Sequence, residues 1–133
     1  MSLLHSLLKK IELEIIDVCG NGLRILGHYL IKPFTSMYTM AMCLRLKGDI
    51  HRYICHLLPT GSPDYKASCI QALMAYTEAY RITTQEFSST KPLRLGVAIN
   101  FAVYYYEVEG NAKKAIEICE EALKALDDLP QVV

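Results

Sequence analysis

The chain has 133 residues, enough for one domain (1–133) with a sizeable core, and 52% hydrophobic against 21% charged residues is the balance of a folded protein. Its 14 basic side chains offset 14 acidic ones, which excludes an overall field that would draw it to nucleic acid or an anionic membrane. Any anion site must be local.

The N-terminal apolar patch is broken at once by Lys9, Lys10, Glu12 and Glu14, too soon for the core of a signal peptide. No run approaches the roughly 18 apolar residues of a membrane span, so a cytoplasmic protein is expected. Apolar residues at Leu4, Leu7, Leu8, Ile11, Ile15, Val18, Leu23, Leu26 and Leu30 follow the helical period and predict one long amphipathic helix over about 3–30. Gly20, Asn21 and Gly22 weaken it locally, either bending it or admitting a close contact, and Pro33 closes it.

A second helix is predicted over 36–58, ending before the turn residues Pro59 to Pro63, and a third over 64–87. The fourth, 92–109, has Pro92 at a first helical position and Gly110 at a left-handed C-cap, a length of about 27 Å. A fifth, 112–126, carries Ala112, Ala115, Ile116, Cys119, Ala122, Leu123 and Leu126 on one side and frays from Asp127 to Pro130. Nothing reads as a strand. Short links imply antiparallel neighbours, so the fold class is all-α, an antiparallel bundle of five helices.

The fourth helix is apolar on nearly every side, and its polar exceptions carry the information. Gly96, Asn100, Val103 and Glu107 share a face at spacings of four, three and four. An amide and a carboxylate there must either satisfy each other's surroundings internally or line something polar. Gly96 would let a ligand backbone approach, and Asn100 could bond that backbone in both directions, which describes a groove for an extended peptide. A core helix with a satisfied Asn and an exposed terminal Glu fits the same residues.

On the second helix Arg45, Asp49, Arg52 and His56 share a face at the same spacing, with Tyr53 beside them. Two guanidiniums and a phenol suit a phosphate dianion, with Asp49 orienting an arginine. A solvated face laced by an Asp-Arg pair is the plainer alternative. His51 and Cys55, four apart, with His56 adjacent, raise metal binding or catalysis, but two ligands do not make a site. No nucleophile elbow, phosphate-cradling glycine loop or carboxylate pair is present, so no enzyme, cofactor or metal is expected. The five cysteines, Cys19, Cys43, Cys55, Cys69 and Cys119, lack the paired spacing of a disulfide framework and read as reduced and mostly buried.

Two stretches, Leu46-Lys-Gly-Asp-Ile-His-Arg-Tyr53 and Lys91-Pro-Leu-Arg-Leu-Gly-Val-Ala-Ile-Asn-Phe-Ala-Val-Tyr-Tyr-Tyr-Glu107, together resemble the 14-3-3 family of phosphoserine and phosphothreonine peptide-binding adaptors. Weaker similarity runs from about Leu8 to Leu126. The resemblance implies that the five helices correspond to the fourth through eighth of that family's nine, a partial, tetratricopeptide-like array. It implies that Arg52 and Tyr53 hold phosphate, with Arg45 where the family usually has Lys. Asn100 would bind the peptide backbone, Glu107 would support the polar wall, and Gly96, Ile99 and Val103 would shape the apolar wall.

His56 stands where the family has a Glu. The family pocket also draws a Lys and an Arg from its third helix and a clamp from its ninth, neither of which has a counterpart here. The expectation is a truncated, weakened adaptor for phosphorylated client proteins. Its homodimer through the first helix would be impaired for want of the family's N-terminal helices, leaving that helix's apolar stripe exposed. A helical-repeat scaffold independent of phosphorylation is the alternative, on the resemblance of Tyr106, Gly110-Asn111, Ala115, Ala122 and Pro130 to one tetratricopeptide helix pair, although no second pair appears about 34 residues upstream.

Overall fold

The computed structural model describes residues 2–33 and 35–128, Tyr29 by its backbone alone. The fraying expected at Leu129 and Pro130 lies outside the described residues. Helix α1 (Leu3–Ile25) is capped by Ser2, whose Oγ accepts from the His5 N–H at 3.2 Å. It continues unbroken through Gly20 to Gly22, and Gly22 marks a close contact: a Cβ there would lie 3.3 Å from Ile50 Cδ1. The α-helix stops short of residue 30. Leu26–Leu30 form a π-helical turn, closed by the Ile31 N–H on the Leu26 carbonyl at 2.8 Å.

Helices α2 (Met37–Leu57) and α3 (Pro63–Glu86) begin at Ser36 and Ser62, each accepting from the third N–H along at 3.2 Å. Pro63 opens α3 as Pro92 opens α4 (Pro92–Glu107), both at positions where no N–H is missed. Asn111 caps α5 (Ala112–Asp127). Gly61 and Gly110 carry the positive φ values, 85° and 63°, that turn the chain after α2 and after α4.

The helices stack in order, α2 on α3, α3 on α4, α4 on α5, with α2 also meeting α4. One apolar cluster joins α3, α4 and α5 through Ala72, Tyr76, Ala98, Phe101, Tyr104 and Ile118. A second joins α2, α3 and α4 through Ala41, Ala79, Ile82, Leu93 and Val97. Alanines at the crossings bring the backbones close; Gly48 takes this furthest. A Cβ on Gly48 would stand 2.8 Å from the ring of Tyr76, which is fully buried and cannot swing away. A mid-helix glycine costs about 1 kcal/mol against alanine, and the space for that ring offsets it.

Helix α1 stands apart. Among the described residues it contacts only α2 and the π turn, and none of its residues is buried. Leu4 is 66% exposed and Val18 69%. The apolar stripe that gives this helix its periodicity therefore faces outward, and burial contributes little to holding it in place.

Candidate functional site

Asp49 follows Gly48 in the middle of α2, and at 7% exposed it is one of the few buried polar residues. A buried carboxylate costs several kcal/mol unless donors surround it. Three helices supply them. From α3 the Tyr76 O–H donates to Oδ1. From α4 Asn100 Nδ2 donates to Oδ1 at 3.1 Å and Oδ2 at 3.2 Å. One turn along α2, Arg52 Nη2 lies 3.5 Å from Oδ1.

Arg52 is in turn held on several sides. Its Nε donates to Tyr76 Oη at 3.2 Å and its Nη1 to Glu107 Oε2 at 3.3 Å, while its Cζ lies 5.0 Å from the centre of the Tyr53 ring. Burial works against the guanidinium, but Tyr76, Asp49 and Tyr53 together outweigh it and hold its pKa above the ordinary arginine value. Glu107 Oε2 also meets His56 Nε2 at 2.9 Å. Asp49, Arg52, Asn100, Glu107 and His56 thus form one connected network, with Tyr76 at its buried end.

Arg45 comes to α4 by a different route. Its Nη1 lies only 2.9 Å from where a Cβ on Gly96 would stand, so the missing side chain at 96 is what admits the guanidinium. The Arg45 Nε is buried and unpaired among the described residues, a donor poised for an acceptor. Tyr53, 47% exposed, flanks Arg52 on the open side.

Ile99 and Val103 do not join this network. They line an apolar groove of about 400 Å³ between α4 and α5, shared with Tyr106, Ile116 and Leu123 and bordered by Glu107. Glu107 is therefore the residue common to the polar network and the groove. The apolar side of α5 is wider than its contact with α4: Ala115 and Ile118 are buried, whereas Ile116 is 56% and Leu123 61% exposed. Glu121, on the charged side of that helix, accepts from the Tyr80 O–H.

Two features escape sequence reasoning. Tyr76 sits in an α3 pattern with no cue to its role beyond a glycine elsewhere in the chain, and Ile118, on the face of Ala115 and Ala122 at the edge of the apolar stripe, is buried without having been singled out. The ligand-like trio on α2 disperses, with Cys55 turned to Cys69, His56 to Glu107, and the half-buried His51 leaving Nδ1 unpaired among the described residues. Burial first, then Lys47, pushes the His51 pKa down, which favours the neutral ring. No group of three or more metal-ligating side chains occurs among the described residues. The cysteines are free, but only Cys43 and Cys55 are buried, and Cys119 is exposed.

The buried phenols make a pH prediction. Burial, followed by hydrogen bonding to carboxylates, pushes the Tyr76 and Tyr104 hydroxyls far above the ordinary tyrosine range, and Tyr80 moves the same way. Above about pH 10 the unfolded chain releases those protons while the folded chain keeps them, so the native state binds more protons and stability falls as pH rises. Urea unfolding at pH 8, 10 and 11 should show a plateau followed by a decline; constant stability across that series would contradict the proton-holding role of these phenols.

An array of antiparallel helices crossed by a buried carboxylate-guanidinium network, with an apolar groove at one edge, defines the class. The sequence pattern of the family described as 14-3-3 protein matches residues 1–131. The chain belongs to the 14-3-3 family. It is similar to the 14-3-3 protein beta/alpha of Xenopus tropicalis, 35% identical over 125 residues, covering 91% of this chain and 50% of the relative. The proteins of the same description from Gallus gallus and Homo sapiens are each 36% identical over 126 residues, with the same coverage. The chain spans about half the length of the curated relatives it matches.

Proposed function

We propose that this chain is a non-catalytic, cytoplasmic adaptor that binds phosphoserine or phosphothreonine peptides, with Arg45, Arg52 and Tyr53 facing the phosphate. The observation that carries the reading is the way Arg52 is held. A guanidinium fixed by Tyr76 and Asp49 has already lost its side-chain freedom, and the exchange of its exposed partner Glu107 for a phosphate is local. Asn100 uses its amide nitrogen on Asp49, and its Oδ1 takes part in neither of those bonds, which suits it to accept from a peptide N–H. Beyond Glu107 the groove at Ile99 and Val103 takes the apolar side chains that flank the phosphosite.

Binding by these 133 residues is weak on this reading. Arg52 is partly neutralised by Glu107 and Asp49, so a phosphate must compete with two carboxylates for it. The exposed apolar stripe of α1 is the surface assigned to self-association, which would add avidity to a weak single site.

Fluorescence-anisotropy titration with a phosphoserine peptide and its unphosphorylated twin, at two salt concentrations, tests the reading. Binding of the phosphorylated form alone, weaker at higher salt, is the expected result. Equal binding of both would favour a phosphate-independent scaffold using the α4–α5 groove, and binding of neither by the folded chain would overturn the assignment.

A further inference from the structure

Cys55, near the end of α2, and Cys69, in the first half of α3, place their sulfur atoms 3.4 Å apart. Nothing in the phosphate site uses either thiol. A disulfide spans about 2.05 Å, so the two sulfurs need to approach by about 1.4 Å to bond. Both helices are anchored around the pair. Tyr104 donates from α4 to the Cys69 carbonyl at 3.2 Å, and Cys55 is 4% exposed in the α2–α3 contact. The thiols therefore meet as a fixed pair, with Cys55 buried and Cys69 partly exposed.

We propose that Cys55 and Cys69 are a peroxide-oxidised thiol pair whose disulfide staples α2 to α3 one turn beyond Arg52. The Cys69 thiolate attacks hydrogen peroxide; an S–O bond forms, the O–O bond breaks, and the departing hydroxide takes a proton to become water. The Cys55 sulfur then attacks the Cys69 sulfenic acid. An S–S bond forms, the S–O bond breaks, and the hydroxyl leaves as a second water with the Cys55 proton. Two thiols are oxidised and one peroxide is reduced to two waters. A dithiol reductant reverses the change by exchange.

The order of the steps follows from the surroundings. Peroxide reaches the partly exposed Cys69 before the buried Cys55, whose thiol is also pushed up by burial and then by the hydrogen bond with Cys69, so Cys69 reacts first and Cys55 resolves. The remaining cysteines have no such partner in reach: Cys19 lies on α1, Cys43 earlier on α2 and Cys119 on α5. The closed bond would fix the last turn of α2, the segment that carries His56, against α3.

The test is oxidation of the full chain with hydrogen peroxide under native conditions, alkylation, and mass mapping of the digested protein. Two of the five thiols should be lost to alkylation, with Cys55 and Cys69 recovered in one linked peptide, and a dithiol reductant should restore both. Cys55→Ser should leave a sulfenic acid at Cys69 that a dimedone probe captures, whereas Cys69→Ser should abolish the linked peptide and the sulfenic signal together. The wild-type map needs no variant to fold. Alkylation of all five thiols after peroxide treatment, or a link formed only between copies through Cys119, would overturn the proposal. The result is independent of phosphopeptide binding.

Discussion

Arg52→Ala is expected to lower the affinity for a phosphoserine peptide by roughly 10- to 100-fold, with no change in the signal of the unphosphorylated twin. The magnitude follows from a charge-assisted contact of about 1.5–3 kcal/mol made only when the phosphate is present. Arg52 is favoured over Arg45 for this effect because its fork is fixed by Tyr76, Asp49 and Glu107, whereas Arg45 makes its close approach over Gly96 with one donor unpaired. Arg52→Lys should recover only part of the affinity, since an ammonium offers a point charge in place of two parallel donors.

A fold control accompanies the measurement. Asp49 keeps Tyr76 and Asn100 as donors when Arg52 is removed, so the variant should remain folded by circular dichroism. Loss of affinity for both peptides in equal measure would mean that Arg52 supports the groove and does not contact phosphate.

The architecture was legible because helix boundaries are local chemistry. Pro92, Gly110 and the Pro59 to Pro63 turn each act within one turn of the chain, and the short links left antiparallel stacking as the compact solution. The π turn was not legible. One turn of i to i+5 bonding at Leu26 leaves the apolar period almost unchanged, so the sequence pattern runs on through it.

The site was legible in part, for the same reason in reverse. Shared faces on α2 and α4 follow from spacing, and the structure brings Asp49, Arg52, Asn100, Glu107 and His56 into one network. Which partner each side chain takes depends on how three helices meet. That Asn100 turns its nitrogen to Asp49, and that a phenol from α3 completes the shell, are properties of packing and have no signature within either helix. Periodicity likewise ranks apolar residues on α5 without saying which are covered, and Ile116 and Leu123 are open because the partner face of α4 is narrower than the stripe that meets it.

Asp49→Ala should cost more stability than any other single change in the network, on the order of 3–5 kcal/mol, the loss typical of breaking a buried charged pair by removing one member. Three donors lose their acceptor at once: the Tyr76 hydroxyl, the Asn100 amide and one edge of Arg52. Tyr76 is fully buried, and among the described residues no other acceptor is bonded to it. Against a total of about 5–15 kcal/mol for a domain, such a loss approaches unfolding. Tyr76→Phe, which removes a single hydroxyl and keeps the ring over Gly48, should cost about 1–3 kcal/mol. Urea unfolding followed by circular dichroism orders the two variants. The double variant should be no worse than slightly beyond Asp49→Ala alone, because both substitutions remove the same bond and such effects do not add. Fully additive losses would place the two residues in separate interactions and remove Asp49 from its position as the common acceptor of α2, α3 and α4.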